Sequence, residues 1–107
     1  MDKDGNVVAL ITAWSDDEAN KIAEALVKQR KAACVNILPG VRSVFWWQGS
    51  IDSEQELLLI AKTKKSKVEQ IVSLVKKLHS YDTPEIIALP ITGGSLDYLD
   101  WIDREVQ

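Results

Sequence analysis

Two periods of apolar residues alternate along this chain. Residues 7–13 (VVALITA) form a short, nearly unbroken apolar run. Both alternating sides are apolar, which predicts a central strand covered on both faces. Ser15-Asp-Asp-Glu18 follows, with the form of a capping box. Asp16 and Asp17 suit the positive end of a helix dipole. Ala19, Ile22, Ala23, Leu26 and Val27 then recur at helical spacing and predict one buried stripe. Residues 33–48 read as a long extended segment, interrupted at Pro39-Gly40, where the missing ladder donor predicts a bulge or bend. Gly49-Ser50 is a turn signal, and residues 51–63 are extended again around LLLIA. Together they predict a long β-hairpin.

Ser66-Lys-Val-Glu69 has the form of a second capping box. Val68, Ile71, Val72, Val75 and Leu78 continue as a second amphipathic helix. Ser53 to Glu56 fits the same S-x-x-E pattern inside an extended segment, so the motif alone is weak. Residues 86–91 predict a short strand whose Pro90 marks an edge or an end. After Gly93-Gly94, Leu96, Leu99, Ile102 and Val106 predict a short last helix. The order βαββαβ plus a terminal helix is an α+β fold of split-βαβ, ferredoxin-like type. It predicts an antiparallel sheet with two helices on one face and right-handed crossovers.

The apolar content exceeds what that fold buries. With helices on one face, the other sheet face should be polar in a monomer. Yet VVALITA and ELLLIA are apolar on both sides, and the hairpin adds Phe45, Trp46 and Trp47 in a row. Strand neighbours point to opposite faces, so Trp46 and Trp47 cannot share one core. The hairpin is also longer than a 107-residue sheet needs. These features predict a homo-oligomer that buries the bare face and the hairpin tip.

Composition narrows the function. The length is that of one domain, residues 1–107. Net charge is -3, which disfavours nucleic acid as a partner. The basic cluster Lys62–Lys67 (KTKKSK) sits where a strand ends and a helix begins, and reads as a solvated turn. No apolar run is long enough to span a membrane. The polar start MDKDGN does not look like a signal peptide, so a cytoplasmic location is the expectation. Cys34 is the sole cysteine, so no intrachain disulfide forms.

The chemistry on offer is sparse. Cys34 lies in a predicted strand among apolar neighbours, where a thiol is usually inert. The stretch LHSYDTPEII holds the sole histidine, His79, with Tyr81, Asp82, Pro84 and Glu85. His79 reads either as the end of a helix or as a nitrogen ligand beside the hard oxygen donors Asp82 and Glu85. One histidine and one cysteine cannot build a closed zinc site of Cys and His ligands. Any metal site must be carboxylate-rich, shared between subunits, or open and weak. G-x-S-x-G, P-loop, H-E-x-x-H and paired C-x-x-C motifs are absent, so no enzyme is expected. Acylphosphatases share the element order, but need a glycine-rich anion loop with an arginine after the first strand. Here that position is the acidic Trp14-Ser-Asp-Asp. An RNP1-like string is also missing.

Several strings resemble a known family. AACVNILPGVRSVFWWQG (residues 32–49) is similar to the signature hairpin of the CutA divalent-ion-tolerance proteins. LLLIAKT, HSYDTPEIIALPI and YLDWI resemble its later segments, so the likeness covers essentially the whole chain. The resemblance implies a tight homotrimer, similar in architecture to PII-type signalling proteins, whose long hairpins wrap neighbouring subunits. It implies tolerance of copper and other divalent cations, with no obligatory cofactor. By the same resemblance a cleft between subunits would contain Cys34, His79 and Glu85, with Asp82 nearby, Tyr81 and Pro84 shaping the loop, and Trp46 and Trp47 at the interface. The chain departs from the family pattern at Gln48, where glutamate is usual, at Ser80 for proline and at Asp82 for glutamate. Losing the glutamate at 48 removes one oxygen donor. Two functions follow as expectations. One is a non-enzymatic trimer that binds divalent metal weakly at the intersubunit cleft. The other is a PII-like regulatory trimer that binds a small molecule or a partner protein.

Overall fold

A computed structural model describes residues 4–107. In chain order the elements are β1 (Asn6–Ala13), α1 (Asp16–Lys28), β2 (Cys34–Trp47), β3 (Ser50–Lys64), α2 (Val68–Leu78), β4 (Ile86–Pro90) and α3 (Leu96–Glu105). The four strands form one antiparallel sheet in the order β2-β3-β1-β4. This is the expected α+β arrangement.

One sheet face carries the core. Val7, Ala9, Ile11 and Ala13 of β1 are buried on it, opposite Thr63, Ala61, Leu59 and Leu57 of β3. Ala19, Ile22, Ala23 and Leu26 of α1 and Ile71 and Val75 of α2 close over them. Burying a side chain such as Ile22 contributes about 1.5–3 kcal/mol. The predicted stripe of α1 is buried except for Val27, which lies exposed at its end. In α2 Ile71 and Val75 are buried while Val68, Val72 and Leu78 are half-buried, and in α3 Leu96 is exposed while Ile102 and Val106 are buried.

The two capping boxes differ. At α1, Ser15 Oγ accepts the Glu18 N–H at 3.2 Å, as the pattern predicts. At Ser66 no cap forms. A short 3-10 turn over Lys65–Lys67 precedes α2, and Lys67 begins the helix without a side-chain cap. Ser66 turns instead to Asp4, whose carboxylate accepts from its N–H at 3.0 Å and its hydroxyl at 2.7 Å. A long-range partner displaced the local one.

The hairpin is long, with the predicted irregularity between Leu38 and Val41 and a tight turn at Gln48-Gly49. Strand β1 ends at Ala13, paired with Leu57. The seven residues of β3 before Leu57 thus have no β1 partner. At about 3.3 Å per residue they make an arm about 23 Å long. The molecule measures 44 Å along its longest axis and 25 Å across. Val44, Trp46, Trp47 and Ile51 on the arm are 59–73% exposed.

Helix α3 packs against β1 and β3, with Ile102 buried. Tyr98 lies beside Cys34, which shares a sheet face with Lys62 and Val8, opposite to the main core. The helix covers only one end of that second face. Leu38, Ile87 and Leu89 remain exposed there.

Candidate functional site

The site grows from two chain ends that meet. Strand β1 stops at Ala13, and Ser15 starts α1 two residues later. Helix α2 ends on His79, whose extended backbone turns the chain toward β4. The His79 side chain is fully buried between these ends. Its Nε2 lies 2.7 Å from the Thr12 carbonyl oxygen, so Nε2 carries the hydrogen and donates. Nδ1 accepts the Tyr81 N–H at 3.1 Å. Both ring nitrogens are used, and the two rings sit 4.8 Å apart, centroid to centroid.

Glu18 lines the same place. Its Oε1 accepts the Ser80 N–H at 2.6 Å, and its Oε2 lies 3.9 Å from His79 Nδ1. The Tyr81 hydroxyl stands near the Glu56 carboxylate. Partial burial holds the Tyr81 proton more tightly than usual, and the negative charges of Glu56, Glu54 and Glu18 add to this. Glu56 is itself buried. Asp82 and Glu85 are exposed on the same loop, while Pro84 is buried within it.

Cys34 is elsewhere in the protomer. It pairs with Lys62, which pairs with Val8. His79 meets β1 four residues further on, at Thr12. Along a strand that separation alone is about 13 Å. Cys34 is half-buried under α3 and not sealed in the core. Its neighbour Tyr98 has its proton held more tightly by burial and by the adjacent thiol. Trp46 and Trp47 project on the arm, away from both places.

Among the described residues no three of His, Cys, Asp and Glu are grouped so as to hold a cation. The structure unites His79, Tyr81, Asp82, Pro84 and Glu85 on one loop and leaves Cys34 and the tryptophans apart. Sequence reasoning missed Glu56, and it read Glu18 only as a cap. Glu56 had one local signal, a lone carboxylate at the start of the apolar ELLLIA strand. The bond of Glu18 to Ser80 spans 62 positions and leaves no local signal.

Comparisons with known proteins agree with this architecture. Residues 7–105 match the family model described as CutA1 divalent ion tolerance protein. The chain is 50% identical over 95 residues to a divalent-cation tolerance protein CutA of Thermus thermophilus, covering 89% of this chain and 92% of that one. The solved structure of a divalent cation tolerance protein from that organism superposes with a TM-score of 0.93 at 47% identity, over 95% of this chain and 99% of that one. An Archaeoglobus fulgidus structure, described as a periplasmic divalent cation tolerance protein, gives a TM-score of 0.92 at 44% identity, over 95% and 99%. A chloroplastic CutA 1 of Oryza sativa is 42% identical over 95% of this chain, which spans 58% of that protein's length. These names describe tolerance of ions and not a reaction. Among the described residues no helix is long and apolar enough to cross a membrane. A family match over nearly the whole chain, on the same four-stranded sheet with three helices, places this protein in the CutA1 family of divalent ion tolerance proteins.

Proposed function

We propose that this chain acts as a non-enzymatic homotrimer that supports divalent-cation tolerance by binding such ions weakly at clefts between subunits. The observation that carries the assembly is the projecting arm, with Val44, Trp46, Trp47 and Ile51 exposed beyond the end of β1. Among the described residues nothing covers it. Leu38, Ile87 and Leu89 on the open sheet face offer a matching apolar surface. Exposed patches of this kind mark association surfaces. Three copies are read from the resemblance to the CutA proteins.

The donors then come from two copies, Cys34 from one and the His79–Glu85 loop from its neighbour. The Nε2–H bond to the Thr12 carbonyl leaves Nδ1 as the electron pair a metal takes, a pattern common among ligating histidines. That pair is already bonded to the Tyr81 N–H, so an ion competes with an internal hydrogen bond. Weak binding follows. Asp82 and Glu85 add exposed oxygen donors, which suit hard cations better than copper.

Light scattering at micromolar concentration tests the assembly; three times the protomer mass is expected, and a stable monomer refutes it. Calorimetry with copper and with a harder divalent ion tests the site. Asp82→Asn with Glu85→Gln should remove the heat without unfolding the chain, because both residues are exposed. Heat unchanged by that pair of substitutions speaks against the loop as the site.

A further inference from the structure

We propose that Glu18 is a positioning residue for the loop that follows α2: its carboxylate fastens the start of α1 to the Ser80–Pro84 segment and so sets where Tyr81 and Asp82 stand. Residues past the end of α2 leave the helical ladder, so their N–H groups need other acceptors. His79 N still donates to Val75 O at 2.8 Å within the last helical turn. The next N–H, on Ser80, has no helical acceptor and takes Glu18 Oε1 at 2.6 Å. The third, on Tyr81, takes His79 Nδ1 at 3.1 Å. The loop is therefore seated by two side chains, and one of them belongs to another element.

Glu18 is suited to this by its place in the helix. It sits in the first turn of α1, and helical side chains lean toward the N-terminus. Its Oε2 accepts the Trp14 N–H at 3.4 Å, while its own N–H is held by Ser15 Oγ. The carboxylate thus bridges the β1–α1 junction and the post-α2 loop. Only 9% of the side chain is exposed, so water competes little for those bonds. An ionised acceptor makes them the stronger kind. Shorter acids at Asp16 and Asp17 are exposed in the same turn and make no such bridge.

The consequence for cation binding rests on the function proposed above; the bridge does not. Amide hydrogen exchange on the full chain tests it, with three variants compared. Glu18→Ala should speed exchange at Ser80 by about tenfold or more, the effect of losing one charge-assisted bond, and should also speed it at Tyr81 as the loop loosens. Glu18→Gln keeps an oxygen acceptor and should restore most of the protection. Ser15→Ala removes the other cap of α1 and should loosen the first helical turn while leaving Ser80 and Tyr81 protected. Equal exchange at Ser80 in wild type and Glu18→Ala overturns the proposal. So does loop exchange in Ser15→Ala equal to that in Glu18→Ala, which would make the effect one of helix stability alone. In parallel calorimetry, loss of affinity in Glu18→Ala with recovery in Glu18→Gln extends the role to ion binding. A wild type that takes up no ion removes the proposed function, and the exchange data still decide the bridge.

Discussion

The His79 imidazole and the Thr12 carbonyl oxygen, 67 positions apart, are joined by a buried hydrogen bond of 2.7 Å. That bond locks the end of α2 onto the end of β1 and fixes which ring nitrogen carries the hydrogen. Replacing His79 with alanine orphans the Thr12 carbonyl and the Tyr81 N–H together. Each buried group left without a partner costs about 1–3 kcal/mol, so the variant should lose about 3 kcal/mol in denaturant unfolding. A loss under about 1 kcal/mol would show that water replaces the ring. His79→Ala is for this reason a poor probe of metal binding, since lost fold and lost ligand look alike.

Arg30 illustrates a different balance. It ends α1 in the left-handed region, φ 60°, where glycine is usual. Lys31 N donates to Leu26 O at 2.9 Å and Arg30 N to Val27 O at 3.1 Å, the paired bonds of a Schellman ending. The guanidinium pairs with Glu105 at 2.7 Å, and the Gln107 N–H reaches the Arg30 carbonyl. Both ionic side chains are substantially exposed, so the pair contributes at most about 1 kcal/mol. A non-glycine residue in this conformation costs about 1–2 kcal/mol. Arg30→Gly should therefore be neutral or slightly stabilising by thermal melting, and Arg30→Ala destabilising by up to about 1 kcal/mol.

Local patterns were legible and long-range ones were not. Ser15 and Glu18 cap α1 because both partners lie within one turn. The same spacing at Ser66 and Glu69 fails because Asp4, from the other end of the chain, takes the serine. The strands followed from short apolar runs, the hairpin from extended segments on either side of Gly49-Ser50, and the arm from its length. Cys34 reads either as an inert strand thiol or, by resemblance, as a cleft donor, and the sequence could not show that α3 folds back over that face and covers it only in part. His79 reads either as a helix end or as a ligand; it does stand at the end of α2, and that both of its nitrogens are taken depends on Thr12 and on the turn of the loop itself.

Asp4 makes acid sensitivity testable. Its carboxyl is held below the ordinary carboxylate value, first by the Ser66 hydroxyl, then by the Ser66 N–H, with Lys64 and Lys67 adding to this. The folded state thus prefers the ionised form more than the unfolded state does. The contribution is complete above the unfolded value of 3.8 and disappears as pH falls through the lower folded value. Wild type should exceed Ser66→Ala in melting temperature at neutral pH, and the gap should narrow below 3.8. A gap that stays constant into strong acid would assign the effect to helix geometry and not to charge.

The turn at the tip of the arm contains a second left-handed residue. Gln48 has φ 49° and Gly49 φ 83°, the backbone of a two-residue type I′ turn. Asparagine tolerates that first position better than glutamine. Gln48→Asn should stabilise by about 0.5 kcal/mol in equilibrium unfolding if the turn stays free in solution. No gain would point to a Gln48 contact with a neighbouring copy.

The arm itself separates folding from assembly. Trp46 and Ile51 face each other across its two strands and are 73% and 66% exposed. Neither belongs to the core of Ile11, Ile22, Leu26, Leu59 and Ile71. Removing them therefore takes nothing from the interior of the protomer. If the arm docks on a neighbour, the same two side chains bury a large apolar area there, at roughly 25 cal/mol per Å². Trp46→Ser with Ile51→Ser should leave the circular dichroism of the folded chain intact and reduce its mass in light scattering to that of one protomer. Loss of both signals together would mean that the protomer depends on its neighbours to fold. An unchanged mass would move the interface off the arm and onto the open sheet face alone, where Leu38, Ile87 and Leu89 stand exposed.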